Sequence, residues 1–137
     1  MADHGSLGVG LVSRNPDDAV AFYGGVLGLT FGPPEPVPGS TGELRRAVVG
    51  AATLKVLGPA DALPVMLNAD GGRSALRYLT VPVADANTAF DSCRRAGCKV
   101  VMEPRRVRPG VTIAFVHDFE GNLVELMESV PDGSVAG

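Results

Sequence analysis

The stretch SLGVGLVSRNPDDAVAFYGGVLG, residues 6–28, decides how this chain folds. It begins with alternation. Val9 and Leu11 point to one side, and Gly8, Gly10 and Val12 to the other, so residues 6–14 predict a strand. Asn15 then reads as an N-cap, Pro16 takes the first helical position, and Asp17 and Asp18 fill the first turn, where negative charge suits the helix dipole. The helix that follows is expected to put Val20, Tyr23 and Leu27 on one face, and Gly28 to end it. The same order returns in LRYLTVPVADANTAFDSCRRAG, residues 76–97: a strand over 76–84, a cap at Asp85, a helix, and a stop at Gly97.

Working outward, both halves continue in the same way. Leu29 to Phe31 start a short strand, and residues 32–42 form a Pro/Gly-rich loop. Residues 43–50 and 52–58 read as a hairpin turning at Gly50-Ala51. In the second half, residues 98–103 are a strand and 104–110 a loop. Residues 111–119 and 122–129 form a hairpin turning at Glu120-Gly121. The halves superpose at a shift of 70 residues: Gly8 falls on Tyr78, Asn15 on Asp85 and Lys55 on Glu125, while Gly28 and Gly97 miss by one. Such a duplication sets the fold. The expected class is α+β, with two βαβββ modules forming a cupped, barrel-like mixed sheet and the helices on its convex side. One domain over 1–137 is expected, with module one at 6–58, a linker at 59–75, module two at 76–129 and a tail at 130–137. Neither module can bury both faces of its sheet alone, and a cup between two sheets suits a small ligand.

Composition agrees. The 137 residues include 18 Gly and 11 Pro, about a fifth of the chain against a usual ~12%. That argues for short strands and turns and against a helical bundle. The net charge of −3 disfavours nucleic acid as a partner. No apolar run is long enough for a membrane span. The N-terminal MADHGSLGVG lacks the basic and apolar regions of a secretory leader, so a cytoplasmic protein is expected. Cys93 and Cys98 do not have zinc-site spacing and are expected to be reduced and partly buried.

Two motifs carry a resemblance: FY-x-x-x-LGL at Phe22–Leu29 and D-x-x-GN-x-x-EL at Asp118–Leu126. With the βαβββ repeat over about residues 6–129, the chain resembles the vicinal oxygen chelate superfamily, which includes glyoxalases, bleomycin resistance proteins and extradiol dioxygenases. The second motif usually reads DPDGN, and here Phe119 and Glu120 replace Pro and Asp. Metal enzymes of that family take His, Glu or Gln ligands from the first and last strand of each half. The resemblance puts those positions at Gly8, Lys55, Tyr78 and Glu125. Only Glu125 is a usual ligand type, so no metal and no other cofactor is expected. A divalent ion (Fe, Mn, Ni or Zn) is the alternative. His4 and His117 lack the spacing of a ligand pair. His117 is expected to point outward, away from a cup-facing Phe115.

Strand alternation predicts what lines the cup. Gly8, Gly10 and Val12 come from the first strand, and Thr53, Lys55 and Leu57 from the fourth. Tyr78 and Thr80 come from the fifth, Ile113 and Phe115 from the seventh, and Leu123, Glu125 and Met127 from the last. Lys55 and Glu125 allow three readings: a structural ion pair, polar contacts to a ligand, or, with Tyr78, an acid–base set in which Glu125 is the base and Tyr78 a hydrogen-bond donor. Arg105, Arg106 and Arg108 are expected in a solvated loop, and only one of Arg45 and Arg46 can enter the cup. Asp118, Gly121 and Asn122 are expected to shape a tight turn, the last two through positive φ. The resemblance implies a metal-independent binder of an apolar or aromatic small molecule such as an antibiotic, with self-association as a homodimer and the ligand between modules or at the dimer interface. A lyase, isomerase or dioxygenase is the alternative.

Overall fold

A parallel strand pair needs a crossover between its members, and each half of this chain supplies one with a helix. The computed structural model describes residues 7–63 and 77–131. The chain divides into two compact units, Met1–Ala75 and Leu76–Gly137. The first unit runs β1 (Gly8–Val12), α1 (Pro16–Val20), a π-helical segment (Ala21–Val26), β2 (Glu35–Pro36), β3 (Glu43–Val49), β4 (Ala52–Gly58) and a 3-10 turn at Ala60–Ala62. The second runs β5 (Leu79–Pro82), α2 (Ala86–Arg95), β6 (Val100–Arg108), β7 (Val111–His117) and β8 (Leu123–Ser129). Each unit holds one open four-stranded mixed sheet, ordered β1-β4-β3-β2 and β5-β8-β7-β6. Within each, the first and last strands pair in parallel and the others antiparallel. This is the repeated βαβββ order.

One face of each sheet packs on its helix and is dry. In the first unit, Leu54 and Val56 of β4 and Ala47 of β3 are buried, with Ala19, Phe22 and Tyr23 from the helical segment. Phe22 and Tyr23 meet edge to face, with ring centroids 4.8 Å apart. In the second unit, Val81, Ala114, Val116, Val124 and Leu126 are buried with Ala86, Phe90 and Cys93 of α2. Burying each large side chain contributes roughly 1.5–3 kcal/mol.

Helix one differs from its sequence expectation. The buried face is Ala19, Phe22 and Tyr23, whereas Val20 and Leu27 are only half-buried. The cause is the π-helical turn, in which the Leu27 N–H reaches back five residues to the Phe22 carbonyl and the ordinary helical spacing is lost. Asn15 has extended cap geometry, but its side chain makes no cap hydrogen bond. Asp85 does cap, accepting from the Thr88 N–H at 2.9 Å. The Ala86 N–H is taken by Glu128 of β8 at 2.9 Å, which ties the start of α2 to the sheet.

Two further segments depart from expectation. Residues 29–31 contribute a single bridge, Phe31 to Ala47, and not a strand. The segment expected to be a loop at 104–110 is mostly β6, and Arg105, Arg106 and Arg108 lie on that strand. Its pairing with β7 shifts register three times, so the Pro/Arg-rich sequence is accommodated by irregularities in an edge strand. The hairpin turns are as read: Val49 pairs with Ala52 around Gly50, which has φ +60°. Gly121 has φ +91° in the β7–β8 turn. Asn122 does not have positive φ. Its role in that turn is to donate from Nδ2 to Asp118 Oδ2 at 2.7 Å.

Candidate functional site

In the second unit the face turned away from α2 gathers the sequence-expected residues through register. Thr80 of β5 stands opposite Glu125 of β8, and Phe115 of β7 stands opposite Glu125 from the other side. Ile113 pairs with Met127, so Ile113, Phe115, Leu123, Glu125 and Met127 share that face. Tyr78, which precedes β5, joins it by packing edge to face on Phe115, with centroids 5.3 Å apart. Glu125 is 6% exposed. Its Oε1 accepts a 2.7 Å hydrogen bond from Thr80 Oγ1.

His117 belongs to the same face. It stands two residues beyond Phe115 on β7 and opposite Leu123 of β8, so the expectation that it points outward is corrected. A strand repeats every two residues, and counting from Phe115 would have placed it. Arg105 of β6, opposite Ile113, also lies on this face.

The first unit brings its own set together. Gly8 pairs with Thr53, Gly10 with Lys55 and Val12 with Leu57, so the six share the face away from the helix. The bare glycines are filled by their neighbours. A Cβ at Gly8 would lie 3.6 Å from Lys55 Cε, and one at Gly10 would lie 3.2 Å from Leu57 Cδ1. Lys55 thus lays its stem over the position where the family resemblance expects a ligand. Of the two arginines of β3, Arg46 shares this face, opposite Lys55, and pairs with Glu35 at 2.9 Å. Arg45 donates to the Gly32 carbonyl at 3.2 Å.

The β7–β8 turn fixes the register of the Glu125 face. Asp118 Oδ1 accepts from the Glu120 and Asn122 backbone N–H groups at 2.9 and 2.8 Å. The D-x-x-GN motif therefore has a structural role. A groove of about 720 Å³ lies elsewhere, between α2 and β6, lined by Phe90, Val100 and Pro104 among charged residues. Its α2 wall carries the ion pairs of Asp91 with Arg94 and Arg95. The hydrogen bond from Arg94 holds the Asp91 carboxyl below its ordinary range.

The donor set does not fit a transition metal. A divalent ion of the family type needs several His or carboxylate ligands converging, and no group of three His, Cys, Asp or Glu does so among the described residues. His4 lies outside the described residues. Cys93 and Cys98 are free and buried. Burial, first, pushes the Cys93 thiol up to about 12 and the Cys98 thiol up as well, so both stay protonated in the fold.

No helix among the described residues is long and apolar enough to cross a membrane. No curated protein matches the chain. Solved structures do. TioX from Micromonospora sp. ML1 is 24% identical with a TM-score of 0.68, over 91% of this chain and 98% of that one. TnmS3, an antibiotic binding protein from Streptomyces sp. CB03234, is 17% identical with a TM-score of 0.69, over 95% and 99%. The trypanothione-dependent glyoxalase I of Leishmania major is 17% identical with a TM-score of 0.68, over 92% and 87%. At these identities the likeness is one of fold, and the same fold serves binding and catalysis. The model of one family matches residues 7–126, nearly the whole described chain, and on that match the chain belongs to the Glyoxalase/Bleomycin resistance protein/Dioxygenase superfamily.

Proposed function

We propose that this protein is a metal-independent small-molecule binder, akin to the bleomycin resistance branch of its superfamily, which takes an apolar or aromatic ligand. The observation that carries the reading is the Glu125 face: an apolar surface with an aromatic pair, Tyr78 and Phe115, and one buried carboxylate held by Thr80. A mostly apolar lining with few polar groups is what small-molecule sites use. The antibiotic-binding neighbour TnmS3 supports it. The corresponding face of the first unit, with Gly8, Gly10, Val12, Thr53, Lys55 and Leu57, is a second candidate surface considered by itself. Ile113, Leu123 and Met127 extend the apolar part in the second unit. The proposed compartment is the cytoplasm and the proposed assembly a homodimer, the latter tested by light scattering.

A thermal-shift screen with aromatic antibiotics and metabolites tests the reading. A ligand at a hundred times its Kd should add about 2.7 kcal/mol to stability, and Tyr78→Ala should remove the shift. Stoichiometric Fe, Mn, Ni or Zn in the purified protein, together with turnover that Glu125→Gln abolishes, would refute it in favour of an enzyme.

A further inference from the structure

We propose that Glu125 is the anchor for a cationic nitrogen, so that the ligand is an aromatic amine whose ring lies against Tyr78 and Phe115. The assignment rests on the small-molecule reading above and narrows it to one ligand class. Glu125 is buried, yet its single hydrogen bond comes from a neutral donor, Thr80 Oγ1, on Oε1. Among the described residues of its own unit it has no cationic partner, and Oε2 accepts no hydrogen bond from them. Among the described residues no buried side-chain polar atom lacks a partner, so Oε2 is reached by solvent. Glu125 thus offers one open carboxylate oxygen on an otherwise apolar face, and the group that complements it is a donor that brings a positive charge.

The surroundings say what accompanies that charge. Tyr78 and Phe115 lie edge to face, and Tyr78 is 43% exposed, leaving ring surface for a ligand. Ring faces favour both aromatic contact and a nearby cation. Phe115 stands directly opposite Glu125 in the ladder, and Ile113 and Leu123 flank the pair. Side chains directly opposite on neighbouring strands stand about 5 Å apart at Cβ, which suits a short linker between ring and nitrogen, as in a phenylalkylamine. Arg105 and His117 share the face, on β6 and at the end of β7, but at the Glu125 carboxylate itself a ligand anion would meet repulsion, whereas a protonated amine gains a charge-assisted hydrogen bond.

The test compares 2-phenylethylamine with its neutral near-isostere 2-phenylethanol, and with phenylacetate, by NMR titration of the full chain. The amine should bind at least about 10-fold more tightly than the alcohol, and Glu125→Gln should remove that preference. The alcohol should bind wild type and variant alike. The comparison on wild type needs no variant to fold. Equal binding of amine and alcohol would overturn the amine assignment and leave the small-molecule reading standing. Binding by none of the three would overturn the assignment together with the reading beneath it.

Discussion

Replacing Asp118 tests whether the D-x-x-GN turn holds the second sheet in register. Asp118 is 7% exposed and accepts from the Glu120 N–H, the Asn122 N–H and the Asn122 side chain, at 2.9, 2.8 and 2.7 Å. Hydrogen bonds to an ionised group contribute about 1.5–3 kcal/mol each when fully buried. These donors are only part-buried and can turn to water after truncation, so about 1 kcal/mol each is the better figure. Asp118→Ala should therefore cost about 3 kcal/mol. Asp118→Asn keeps an acceptor for both backbone N–H groups and loses mainly the contact with the Asn122 side chain, so it should cost about 1 kcal/mol. A chain of this length loses roughly 3–5 °C of Tm per kcal/mol, which separates the two variants by about 8 °C. Urea unfolding with an unchanged m-value would attribute the loss to the native state. Asp118→Ala within 0.5 kcal/mol of wild type, or equal losses in both variants, would refute the reasoning.

The two helix caps should behave differently. Asp85→Ala should cost about 1 kcal/mol, while Asn15→Ala should cost little, since only Asp85 makes a side-chain cap bond; denaturant titration reads both. Gly58→Ala should destabilise by about 1–3 kcal/mol, because its Cβ would meet the Ser13 carbonyl and the Pro16 ring at 2.5 Å. Gly25→Ala, whose Cβ meets nothing, should instead stabilise by about 0.5–1 kcal/mol. The raised Cys93 value makes the native state the better proton binder in alkali. Stability from this thiol is full below about pH 9 and is lost as pH rises towards about 12, a slope that Cys93→Ala should flatten in pH-dependent unfolding.

Much of the fold was legible because it rests on period and punctuation. Val9 and Leu11 against Gly8 and Gly10 announce a two-sided strand, and Gly28, Gly50, Gly97 and Gly121 all take the positive φ that stops a helix or turns a hairpin. The Glu125 face was legible for the same reason, since alternation carries Tyr78, Thr80, Phe115 and Glu125 to one side. Three things were not. The buried face of helix one depends on a π-turn, and hydrophobic spacing assumes an α-helix. The arginines of residues 105–108 look like loop because proline and charge usually mark one, yet an edge strand tolerates both by slipping register. The Thr80–Glu125 bond joins residues 45 positions apart, and no local pattern signals it.

The π-turn of helix one also bears on how the two halves diverged. Their caps, Asn15 and Asp85, stand 70 residues apart, but their stop glycines, Gly28 and Gly97, stand 69 apart. Helix two closes with the Cys98 N–H on the carbonyl five residues back, and helix one with the Leu29 N–H on the carbonyl six back. The first copy thus carries a one-residue insertion, absorbed as a wider turn at Ala21–Val26 and not as a loop. In a chain built by duplication, that turn is where the length of one copy can change while its partner's stays fixed.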